Sequence, residues 1–156
     1  NAFVNDLSST KQLLSISDNR PLFALAMHEA GGTQICDRLS KGLKQLTQGD
    51  LSVVGMAEQC LDEDEEQLFF WLNLWLADMA RWLAVRVDVQ DDQALKLTRM
   101  RSFYQQMVSA NNYPQLFALS DLVLDAQRQL QSGSNANKQL LLENLLIAWC
   151  DWVQQK

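Results

Sequence analysis

Apolar residues recur at three- and four-residue intervals along almost the whole chain, and no run alternates apolar with polar β-branched positions as a half-buried strand does. The pattern predicts an all-α protein. Its most informative stretch is residues 137–153. There Leu141, Leu145, Ala148 and Trp152 share one face at the i, i+4, i+7, i+11 spacing, and Leu142, Leu146, Trp149 and Val153 form an adjoining face. A helix apolar on two faces is expected to give one to its own core and the other to a partner. Leu142, Leu146, Trp149, Trp152 and Val153 are therefore the candidate interface residues.

Breakers and caps divide the rest. A short helix over residues 9–15 ends in Ser17-Asp18-Asn19, and Pro21 suits the first turn of a second one stopping at Gly31-Gly32. Thr33 is placed to cap a helix whose Ile35, Leu39, Leu43 and Leu46 form a stripe ending at Gly49, and a shorter helix follows over residues 54–60. The window 68–87 is the most continuous apolar run, but Asn73, Asp78, Arg81 and Arg86 interrupt it, so it reads as a buried central helix and not a membrane span. Helices over 92–110, with Leu97, Met100, Phe103, Tyr104 and Met107 inward, and over 113–131, with Leu116, Leu119, Val123 and Leu130 inward, come before the break Ser132-Gly133-Ser134-Asn135. The expected architecture is a bundle of about five main helices preceded by a short helical segment, divided near Gly31-Gly32 into units 1–31 and 32–156.

Chemistry is sparse. The acidic run 62–66 invites a metal, but it lies where a helix starts. Asp62 and Glu65 have capping-box-like spacing, and acids in a first turn interact favourably with the helix dipole. His28 is the sole histidine, and in His28-Glu29-Ala30-Gly31-Gly32 the second zinc ligand of a zincin helix is replaced by Gly32. No nucleophile elbow, phosphate-cradling glycine loop or metal-ligand spacing occurs, so neither catalysis nor a bound cofactor or metal is expected. A net charge of −6 argues against direct nucleic-acid binding, and Lys96, Arg99 and Arg101 read as a solvated face. Three widely spaced cysteines, Cys36, Cys60 and Cys150, suit a reducing, cytoplasmic setting. A start at Asn1 without an apolar leader is the expectation for a piece of a longer protein.

Three segments together carry a family likeness: Asn19-Arg20-Pro21-Leu22-Phe23-Ala24-Leu25-Ala26, Phe70-Trp71-Leu72-Asn73-Leu74-Trp75-Leu76-Ala77-Asp78-Met79, and Asn137-Lys138-Gln139-Leu140-Leu141-Leu142-Glu143-Asn144-Leu145-Leu146. In order and spacing the chain resembles the C-terminal part of the delta-prime subunits of bacterial DNA polymerase III clamp loaders. The resemblance implies that residues 1–31 end the helical lid of an AAA+ module and that 32–156 form a collar domain. It also implies partners: the delta and tau/gamma subunits, joined in a pentameric collar that supports ATP-dependent loading of the sliding clamp. In active loader subunits the lid helix carries a nucleotide-sensing arginine in a Ser-Leu-Arg-Asp-Ala-Leu pattern. Here the matching position is Leu22, with Arg20 before the proline, which suits a subunit that does not hydrolyse ATP.

Two other classes compete. A free-standing regulatory domain would homodimerise through the same last helix. A helical enzyme would need an apolar pocket, for which Trp71, Trp75 and Trp82 are the lining.

Overall fold

The computed structural model describes residues 32–84, 100–133 and 137–156. The expectations for 1–31, His28, Lys96 and Arg99 lie outside the described residues. Every regular element within them is helical: α1 (Gly32–Gln48), α2 (Val53–Leu61), α3 (Glu65–Ala84), α4 (Arg101–Met107), a 3₁₀ turn (Tyr113–Gln115), α5 (Leu116–Gln131) and α6 (Lys138–Gln154). The chain is an all-α bundle.

Local chemistry sets the boundaries. Gly49 takes φ 83° after α1, so that its N–H reaches the Leu46 carbonyl at 3.2 Å and the Asp50 N–H reaches Gln45 at 2.8 Å. This is a Schellman stop, which only glycine adopts without strain. Ser52 caps α2 by accepting from the Gly55 N–H at 3.0 Å, and Asn137 caps α6 by accepting from the Leu140 N–H at 3.2 Å.

Three boundaries differ from expectation. Thr33 is the second residue of α1 and not its cap, because the helix already includes Gly32. Asp62 closes α2 in an αR conformation, and the cap of α3 is Asp64, whose Oδ2 accepts from the Gln67 N–H at 3.0 Å. The helix expected to reach Ala110 stops at Met107, where Val108 turns extended (φ −123°, ψ 144°) and the Asn112 side chain takes over the helix end.

The core runs between α3 and the helices around it. α3 packs on α1 and α5, and α6 packs on α2 and α5 and touches α1. Trp71 and Trp75 stand 6.3 Å apart along α3, and Trp75 meets Phe103 edge-on at 5.2 Å. Trp149 and Trp152 form a T-shaped pair at 5.5 Å. Each large side chain removed from water in this way contributes about 1.5–3 kcal/mol. Trp71 and Trp75 are therefore packed core, not the lining of an open pocket, and Trp82 is half-buried against that core. Gly42 marks a close approach of α1 to α2: a Cβ there would come within 2.5 Å of the Met56 sulfur.

Candidate interaction surface

α6 begins at its Asn137 cap and ends in a polar clasp. The Asn112 side chain, fully buried, accepts from the Ser109 N–H at 2.8 Å and donates to the Met107 carbonyl at 2.9 Å and the Trp152 carbonyl at 3.1 Å. The Trp152 indole N–H returns a bond to the Asn112 carbonyl at 2.8 Å. Lys156 Nζ donates to the carbonyls of Gln105 (2.6 Å) and Gln106 (3.2 Å), satisfying the end of α4. These contacts fix the rotation of α6 about its own axis.

That rotation decides which face is available. Leu142, Leu146, Trp149 and Trp152 are buried within the domain, with Trp149 only 1% exposed, and Val153 is half-buried against the same core. Leu145, on the other predicted face, is buried too. Both apolar faces of the sequence pattern thus turn largely inward. The outward stripe is Leu140, Asn144, Ile147 and Asp151, one residue round, with Leu140 54% and Ile147 47% exposed. Its signal lay in the sequence: it is the stripe of α6 where apolar residues alternate with polar ones. Beside it a shallow cleft between α5 and α6 is lined by Leu122, Asp125, Leu141 and Leu145, among others. Leu122 is 49% exposed at its rim.

Two other polar features are structural in character. Asp78 on α3 is fully buried, accepts from the Tyr104 hydroxyl at 2.9 Å and pairs with Arg81. Burial, then the Asp78 charge, pushes the Tyr104 hydroxyl well above the usual tyrosine range. Arg38 on α1 makes a bidentate pair with Glu63 at 2.8 and 2.9 Å across a cleft it shares with Met56 and Gln59. Glu63 thereby takes one member of the acidic run, and no group of three metal-ligating side chains occurs among the described residues. Arg101 is half-buried at the start of α4. Cys36, Cys60 and Cys150 form no disulfide, Cys36 and Cys60 are buried, and burial, reinforced by Glu63, pushes Cys60 up to about 12. No described helix is long and apolar enough to cross a membrane.

Among known proteins, the family profile described as "DNA polymerase III, delta subunit, C terminal" matches residues 33–151. The chain is 26% identical over 139 residues to DNA polymerase III subunit delta' of Pseudomonas aeruginosa. The alignment covers 89% of this chain and 41% of that relative, so the chain spans about two-fifths of the relative's length. No solved structure matches the chain.

Proposed function

Because the chain belongs to the family formed by the C-terminal domains of DNA polymerase III delta subunits, we propose that it is a non-catalytic assembly domain of a delta-prime-like component of a clamp loader. In this reading residues 32–156 are the collar domain, and 1–31 end the lid of a preceding ATPase module. Its partners are the delta and tau/gamma subunits, which close with it into a ring of five in the cytoplasm and make no direct use of nucleic acid here. The ring keeps subunit order and spacing fixed while ATP binding elsewhere moves hinged modules against it, so that a sliding clamp can be held open. Residues of this chain supply rigidity and contact, not chemistry.

The observation that supports this reading best is that α6, already filled against its own core by Leu142, Leu146, Trp149 and Trp152, still exposes Leu140 and Ile147. Large apolar side chains ranged along one stripe are what an assembly surface offers. The test is size-exclusion chromatography with light scattering of the chain, alone and mixed with delta and tau/gamma collar regions without nucleotide. Co-elution independent of ATP is expected. A stable symmetric dimer that ignores those subunits would overturn the reading in favour of a self-associating regulatory domain.

A further inference from the structure

We infer that the outward stripe of α6, together with the α5–α6 cleft, seats one helix of a neighbouring subunit, a helix bearing an apolar stripe flanked by lysine or arginine. This deepens the collar reading and rests on it.

The geometry carries the first half. Of the large apolar side chains exposed among the described residues, all but Val54 lie on α5 and α6. Leu140 and Ile147 stand on one stripe of α6, with Asn144 between them and Asp151 beyond, at the i, i+4, i+7, i+11 spacing. The stripe is about 16 Å long at 1.5 Å per residue. This is the footprint of a helix anchored by side chains at i, i+3 or i+4, and i+7. The cleft beside it, walled by Leu122, Leu141 and Leu145, provides the socket for an apolar knob.

Charge fixes the partner's chemistry. Among the described residues the only ionisable side chain lining the cleft is Asp125, and Asp151 is exposed at the end of the stripe. Asp125 accepts a bond from the neutral Gln129 amide at 2.9 Å, and Glu143 on α6 one from Gln139 at 3.2 Å, and a neutral amide donor leaves a carboxylate's charge in place. Lys138, at the start of α6, is turned to Glu65 at 4.0 Å. An acidic flank beside an apolar stripe selects a basic flank on the incoming helix and disfavours a second copy of this face, which would set like charges together.

The test uses the full 156-residue chain with the cognate delta and tau/gamma subunits, without nucleotide. Leu140→Gln and Ile147→Gln keep helix propensity and alter side chains that are exposed and outside the buried core. Each is expected to weaken association at least about tenfold with the thermal midpoint unchanged, as befits central anchors. Val54→Gln, on α2, is the control and is expected to bind as the wild type does. Asp125→Lys with Asp151→Lys is expected to weaken binding most at low salt, because added salt screens the new repulsion. If the wild type associates and both glutamine variants bind equally well, or if Val54→Gln is as damaging, the surface assignment fails while the collar reading stands. If the wild type associates with neither subunit, the collar reading itself falls and takes the assignment with it. A homodimer broken by Ile147→Gln would give the face to a second copy and overturn the choice of partner.

Discussion

Replacing Asn112 by aspartate exchanges one NH₂ for one oxygen and leaves the side chain the same size, so its consequences are electrostatic. In the native clasp Nδ2 donates to the Met107 and Trp152 carbonyls at 2.9 and 3.1 Å, and the residue is fully buried. In Asn112→Asp two N–H···O bonds become two O···O contacts. The Met107 carbonyl, losing that donor, costs about 1–3 kcal/mol, the Trp152 carbonyl keeps the Gln155 N–H at 3.2 Å, and the new carboxylate adds a desolvation cost, for a loss of about 2–5 kcal/mol. Against a total stability of about 5–15 kcal/mol and a urea slope of about 1–3 kcal/mol/M, the midpoint drops by about 2 M. Urea unfolding followed by tryptophan fluorescence measures it. The sign of the pH dependence follows from burial. The new carboxyl has a folded pKa above its unfolded value of about 3.9, so the folded variant binds the extra proton and its stability falls as pH rises through that window. The wild-type amide does not titrate, so the difference between the two proteins isolates the effect. A midpoint equal to wild type at pH 7, or a deficit that shrinks as pH rises, would refute the clasp.

Trp149→Ala should cost about 3–5 kcal/mol through the cavity it opens in the core. Any loss of association in that variant should therefore come with a lowered thermal midpoint by circular dichroism, and an unchanged midpoint with weakened assembly would argue against the placement of Trp149. Tyr104→Phe should cost about 1–3 kcal/mol in chemical denaturation, because buried Asp78 loses the hydrogen bond from the Tyr104 hydroxyl. In the native protein, ultraviolet titration should show Tyr104 still protonated after an ordinary tyrosine has ionised, since both burial and Asp78 raise it. Cys60, pushed up to about 12, should resist iodoacetamide at pH 8 until the chain is unfolded. Mass spectrometry of quenched samples reads this directly, and rapid native alkylation at Cys60 would contradict its burial.

Helical class, the stripe Ile35, Leu39, Leu43 and Leu46, the Gly49 stop and the central tryptophan helix were all legible, because each rests on period and on a breaker. What failed to show was rotation. α6 is apolar around most of its circumference, so periodicity could not say which face turns in, and the candidates fell on the inward side by one residue. The information that sets the rotation is non-local: Asn112 is 40 positions before Trp152, and nothing in Asn111-Asn112-Tyr113-Pro114 beyond a turn signal says that its amide will hold two helix ends. The cap of α3 was ambiguous for a simpler reason. Asp62 and Asp64 are chemically the same, and the choice belongs to where α2 stops.

In the proposed assembly the buried tryptophans are the mounting of the contact surface and not its anchors. A contact surface loses less entropy on binding when its backbone and rotation are already fixed, and each immobilised side chain then costs only about 0.5–1.5 kcal/mol. α6 meets that condition: Asn137 caps its start, Trp149 and Trp152 wedge its inner face, and Asn112 with Lys156 ties its end to α4. Leu140 and Ile147 need order only their own rotamers when covered. Two branched aliphatic side chains with an acidic flank make a small footprint, and in the proposed collar it is the rigid mounting beneath them that would let so small a stripe keep a subunit's register.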